Sequence, residues 1–262
     1  ADAFNHQYCN LKISGKYNIR YNKISVVELQ KNPLRDTIFG VITTVIMLGI
    51  LSIFAVIFVI PFVQEWPYQV SFSLEHVKSV ISDPDLLGVY TNSLFVAVMT
   101  AIIGVLISYG AALVTARSTL NAKLKSVVEA IALVINTIPG MVLGIAFMLT
   151  FTGTNLQSTF IILIICDVVH YFSTPYLMVK NSLSKMNASW ETTAMLMGDS
   201  WIKTIIRVVT PNAMSTIIEV FSYYFVNAMV TISAIIFLAG AHTMVITTKI
   251  KELQYYNKFN EV

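Results

Sequence analysis

Asp167 and His170, in the stretch CDVVHYF, stand three residues apart and so share one face of any helix that contains them. Glu129 and Glu219 are two further ionisable side chains set within long apolar runs. Groups of this kind are expensive in hydrocarbon and turn toward a bundle interior or a cavity. An acid and an imidazole at that spacing could relay a proton along a polar pathway, and they could equally form a structural pair. Glu129 lies near the start of its run, where a side chain can snorkel to the interface, which favours a structural role. Glu219 lies about two turns inside Pro211, which favours a helix-to-helix hydrogen bond over contact with a substrate. No phosphate-binding loop of the GxxxxGK[ST] type is present, so the chain does not itself hydrolyse ATP. No HExxH or clustered Cys/His set offers a metal site, and no nucleophile–base pair marks an enzyme. Cys9 in a polar leader and Cys166 in an apolar run imply no disulfide framework.

The elements that must hold these residues are membrane spans. The chain is 56% hydrophobic and only 12% charged, with a mean hydropathy of +0.71, far from the soluble balance. Five runs reach the roughly 20 apolar residues that a hydrocarbon core demands: 37–63, 92–116, 127–152, 158–179 and 211–239. The expected fold is an all-α, polytopic membrane helix bundle. Gly104, Gly110, Gly140, Gly144, Ser108 and Thr115 offer small faces for close helix approach. Pro139-Gly140 should kink the third span or break it beside a cavity.

Loop charges orient the bundle. The leader carries Lys12, Lys16, Arg20, Lys23, Lys31 and Arg35; the loop after the second run carries Arg117, Lys123 and Lys125; the loop after the fourth carries Lys180, Lys185, Lys203 and Arg207. These face the cytoplasm, as does the amino-terminal segment 1–36. The stretch 64–91, with Glu65, Glu75, Asp83 and Asp85, and the uncharged GTNLQ at 153–157 face outward. Lys249, Lys251 and Lys258 dissent, since alternation places them outside.

One cytoplasmic segment, about 187–210 and reading ETTAMLMGDSWIKTIIRVVTP from Glu191 to Pro211, is polar and punctuated by Gly. Asn187 or Ser189 can cap a first helix with Glu191 in its first turn. Gly198 would end it in the left-handed conformation, and Asp199 or Ser200 could cap a second helix that closes before Pro211. A pair of short helices on the membrane face buries little, so it should plug into a cytoplasmic partner; an interfacial helix with Lys203 and Arg207 at the headgroups is the blander reading.

This segment resembles the signature loop of inner-membrane permeases of binding-protein-dependent ABC importers, in which Glu-Ala-Ala is followed by three residues, a Gly and later a Pro that opens the next span. Gly198 falls on that Gly, Ala194 on the second Ala, Trp201, Lys203, Thr204, Arg207 and Val208 on the pattern between, and Pro211 on the Pro thirteen residues on. Thr192 and Thr193 replace the usual Glu and Ala, Glu191 stands one residue early, and Thr210 stands where Leu is usual. The SGKYN leader before a new permease core resembles the second half of fused permeases of the iron(III), phosphonate and polyamine type. The resemblance implies a bacterial inner-membrane domain, 37–262, that pairs with a second permease domain, fused or separate, to form a translocation path. It further implies cytoplasmic ATPase subunits that grip the loop 187–210, with Met197 among its residues, and that bind the ATP. A periplasmic or lipid-anchored binding protein would deliver substrate; neither a cofactor on this chain nor a nucleic-acid partner is implied. A sixth span is expected beyond Val262. The alternative is a secondary transporter or channel with Asp167 and His170 as its relay, which would need no ATPase.

Overall fold

The structure, a computed structural model, describes residues 32–65, 68–256 and 258. Most of the segment 1–36, including Cys9, Lys12, Lys16, Arg20, Lys23 and Lys31, lies outside the described residues. The chain divides into two units, 1–59 and 60–262. In the first, α1 (Pro33–Val59) is a helix of 27 residues without one buried side chain. Proline suits its first position, where an N–H would have no helical partner.

The second unit begins with the 3-10 turn Ile60–Phe62 and a small antiparallel hairpin of β1 (Val63–Glu65) and β2 (Gln69–Phe72). Phe62 stacks on Phe72, and α2 (Glu75–Ser82) follows. The stretch expected as an acidic loop is therefore folded. Next comes α3 (Leu86–Arg117), 32 residues long, whose buried stripe includes Ala97, Ala101, Gly104, Ser108, Ala112 and Thr115. These recur at three- and four-residue intervals, so one face of small side chains lets neighbouring helices close in.

The third run is not a single span. α4 (Ala122–Ile135) and α5 (Gly140–Phe151) meet at 106°, and Pro139 caps the second. The fourth run also bends, by 54°, between α6 (Phe160–His170) and α7 (Ser173–Lys185). The polar segment forms α8 (Ser189–Leu196), α9 (Trp201–Thr204), a π-turn over Ile205–Val209 and the last turn α10 (Thr210–Asn212). A 74° bend leads into α11 (Met214–Val230). That helix ends nine residues short of 239, because Thr231 turns extended while its hydroxyl bonds the Asn227 carbonyl and the Tyr171 hydroxyl, both at 2.5 Å. Irregular turns then lead to α12 (Ile246–Tyr255). By length and composition Pro33–Phe62 and Leu86–Arg117 can each cross a membrane, and five spans result if each bent pair counts as one.

Within the second unit α3 is the hub, packed against α11, α7 and α6. Tyr176 and Tyr224 are fully buried in its main apolar cluster. A Cβ added at Gly104 would lie 2.6 Å from the Tyr224 ring, and one at Gly144 would strike the Ala234 carbonyl. Gly110, by contrast, faces open space, so its expected packing role is not realised. Gly104→Val should therefore cost ~1–3 kcal/mol by overpacking, whereas Gly110→Ala should gain up to ~1 kcal/mol of helix propensity. Thermal melts of the two purified variants in detergent check both signs.

Lys249, one of the lysines that break the loop-charge alternation, lies 3.9 Å from Asp83 and 3.5 Å from Glu252. The acidic stretch before α3 and the basic α12 thus share one end of this unit.

Candidate functional site

The helix pair is built by local rules. The Asn187 side chain accepts a hydrogen bond from the Ser189 amide at 2.9 Å in the turn that precedes α8, but Ala188 stands at the cap position, so neither Asn187 nor Ser189 caps the helix as expected. At the other end Gly198 takes φ 81°, as its place in the sequence demands. Its amide bonds the Met195 carbonyl at 3.0 Å and the Asp199 amide reaches back to Ala194 at 2.9 Å. This pair of bonds is the closure that an αL glycine permits at a helix terminus. Ser200, rather than Asp199, caps α9 by accepting from the Lys203 amide at 3.4 Å. The Asp199 carboxylate instead pairs with the Lys203 ammonium one turn on.

The second arm does not close before Pro211 as expected. Helical geometry runs on through Pro211 to Asn212 because the π-turn intervenes, with the Thr210 amide bonding the Ile205 carbonyl. Proline lacks an N–H and its ring crowds the carbonyl four residues back, so a widened turn just before it relieves a conflict that a tight helix would suffer. The Thr210 hydroxyl, at the position where leucine was expected, meets the Tyr109 hydroxyl of α3 at 2.7 Å.

Glu191 has a partner that the sequence does not reveal. Its carboxylate engages Arg117, at the end of α3, through two contacts: Oε1 with Nε at 2.7 Å and Oε2 with Nη2 at 2.9 Å. The same guanidinium donates to the carbonyls of Met186 at 3.0 Å and Asn187 at 3.1 Å. Arg117 is 4% exposed and Glu191 14%. Of the two contacts only the one between Nη2 and Oε2 has hydrogen-bond geometry, while Nε and Oε1 are held at ion-pair distance, and a charge-assisted bond of this kind is stronger than a neutral one.

The tip of the pair is apolar and bare. Met195 is 67% exposed, Leu196 85% and Met197 79%, directly before Gly198. Of these the sequence pattern singled out Met197 alone. Thr192, Thr193, Trp201 and Arg207 are exposed as well, and Arg207 makes no ion pair among the described residues. Ala194 is half-buried, and Pro211 is exposed beside the bend.

The ionisable groups of the spans do not assemble into one site. Asp167 is fully buried, and neither of its carboxylate oxygens has a hydrogen-bond partner among the described residues. It forms no pair with His170, so the expected Asp–His pair is absent among the described residues. His170 instead lines a polar cavity of about 180 Å³ at the two helix breaks, with Asn136, Tyr171, Ser173, Thr174 and Tyr223 nearby. Discontinuous backbone is tolerated at membrane depth where it lines such a space. Glu129 bonds Lys180 of α7 at 2.7 Å; the two side chains are 38% and 28% exposed. Glu129→Gln should therefore cost no more than ~1 kcal/mol, measurable as a small shift in melting temperature. Glu219 corrects the sequence expectation of a helix-to-helix bond, since it is exposed on α11 and forms no hydrogen bond or ion pair with another helix among the described residues.

Comparisons with known proteins agree with this architecture. A family model described as "Binding-protein-dependent transport system inner membrane component" matches residues 104–257. The ferric transport system permease protein FbpB 1 of Haemophilus influenzae is 28% identical over 224 residues, 82% of this chain and 34% of the relative. The ferric transport system permease protein FbpB of Actinobacillus pleuropneumoniae is 26% identical over 222 residues, 79% of this chain and 31% of the relative. The chain thus spans about a third of the length of these two relatives. The molybdate/tungstate transport system permease protein WtpB of Pyrococcus furiosus is 25% identical over 191 residues, covering 72% of this chain and 74% of its own. Among solved structures, a bacterial ABC transporter involved in import of the acidic polysaccharide alginate matches with a TM-score of 0.66 at 16% identity, over 86% of this chain and 82% of that chain. At that identity the likeness speaks for the fold alone.

Proposed function

The chain belongs to the family of binding-protein-dependent transport system inner membrane components, and from that premise we propose that it forms one half of the translocation path of an ABC importer. ATPase subunits on the cytoplasmic side grip the helix pair 189–212. The observation that carries this reading is the apolar tip Met195, Leu196 and Met197, held out on a pair of helices closed by Gly198 and anchored through Glu191. An exposed apolar cluster on a braced element is what a partner cleft accepts, and bracing lets movement of the partner reach the spans instead of being absorbed. Lys203 and Arg207 are exposed on the second arm of the pair.

In this reading the end that carries Arg117, Lys125 and the helix pair is cytoplasmic, and the end that carries Asp83 and Lys249 faces the binding protein. A second permease domain completes the path, and the exposed Glu219 of α11 is directed toward it or toward the path, since a lone carboxylate is costly against lipid. The cargo proposed is iron(III), supported by the names of the two ferric relatives; the molybdate/tungstate relative makes an oxyanion the competing cargo. Sealed vesicles with the intact transporter and its binding protein should accumulate radioactive iron(III) only when ATP is supplied on the cytoplasmic side. They should continue when the proton gradient is collapsed. Accumulation without ATP, driven by a gradient, would overturn the proposal. Cys at Lys123 should label only from the cytoplasm and Cys at Asp83 only from outside.

A further inference from the structure

We infer that Arg117 is a positioning residue that locks the helix pair to α3, so that α3 is the element through which movement at the pair enters the bundle. The inference rests on the coupling reading given above. The chain itself joins the pair to α7 on one side and α11 on the other, so covalent connection alone would deliver motion to those two helices. The side chains add a third route. Arg117 ends α3 and holds three things at once: the Glu191 carboxylate in α8, and the carbonyls of Met186 and Asn187 that leave α7. Two turns earlier on the same helix, the Tyr109 hydroxyl meets Thr210 at 2.7 Å, beyond the π-turn. Both arms of the pair are therefore strutted to one helix.

The chemistry of the first strut suits force transmission. The guanidinium is nearly buried, its Nη1 and Nη2 donate to three acceptors, and it does not lose its charge. A rotation of α8 must either carry the end of α3 with it or break a charge pair away from bulk water. α3 in turn presents its small-residue stripe to α11 and α7, with Gly104 against Tyr224, so a shift of its end is passed on by close packing and not taken up by loose side chains. A purely structural clamp would matter for folding only; a transmitting strut also matters for how hydrolysis responds to substrate.

The test uses the intact transporter in vesicles with its ATPase and binding protein. Arg117→Gln removes the charge pair, and Tyr109→Phe removes only the hydroxyl of the second strut. For each folded variant, the ratio of substrate-stimulated to basal ATP hydrolysis is measured, together with disulfide capture of the ATPase from Cys at Met197. The expected result is that capture persists while the ratio falls, by about tenfold for Arg117→Gln, within the usual span of coupling between sites, and by a smaller factor for Tyr109→Phe. Arg117→Lys, a point charge without the fork, should fall between Gln and wild type. Wild-type ratios in the variants, with capture intact, would overturn the inference and leave the coupling reading standing; absence of capture in the unmodified background would instead remove the coupling reading. If Arg117→Gln does not fold, the Tyr109→Phe ratio alone decides.

Discussion

Gly198→Val should insert and fold at the wild-type level yet lose transport and substrate-stimulated ATP hydrolysis together. Gly198 sits at φ 81°, where an L side chain costs ~1–2 kcal/mol and a β-branched one more. No atom lies within 4 Å of an added Cβ, so the penalty is wholly backbone strain and not a clash that a neighbour could relieve. The chain escapes it by leaving the left-handed region. That opens the bonds from Gly198 to Met195 and from Asp199 to Ala194, and swings the Ser200 cap away from α9. The apolar tip then points elsewhere. A strain of that size converts to about a tenfold loss of the docked population, and to more for valine. Gly153, in the turn after α5, has a similar φ of 77°, and Gly153→Val should leave hydrolysis coupled. Size-exclusion profiles, vesicle uptake and hydrolysis assays on the two variants check the contrast.

Asp167→Val should raise stability and leave ATP-driven transport in place. Both oxygens of Asp167 lie in the bundle interior without a donor among the described residues, and a polar group buried in that condition costs ~1–3 kcal/mol relative to an apolar side chain of similar size. Its removal should appear as a higher melting temperature in detergent. The proton-relay alternative demands the opposite: a carboxyl that must carry protons cannot be replaced by valine, and transport would stop. The separation of Asp167 from the cavity that His170 lines argues for the first outcome.

The five apolar runs were legible because a membrane span is a compositional object, and length plus hydropathy identify it. The breaks inside them were legible only where a residue signals one. Pro139 marked the turn between α4 and α5; Pro175, in the first turn of α7 and four residues after Tyr171, signals the second bend in the same way, by crowding the Tyr171 carbonyl, but went unread. Gly198 could be read because only one backbone conformation explains a glycine between two short helices. Arg117 could not be read as the partner of Glu191, since 74 residues separate them and only the packing of α3 beside α7, which leads into the helix pair, brings them together. The exposed side of Glu219 was equally hidden: in a membrane helix both the lipid face and the packed face are apolar, so periodicity does not say which way a lone acid points. The departure at Thr210 became intelligible only once Tyr109 was seen opposite its hydroxyl.

Disulfide capture from the tip of the helix pair tests the central claim most directly. With the intact transporter in vesicles, Cys introduced at Leu196 or Met197, the most exposed residues of the tip, should cross-link to the ATPase subunit. Cys at Ser158, in the turn before α6, should not. The claim predicts capture at the first two positions and none at the third; failure to capture the ATPase from any position between 192 and 200 would contradict it.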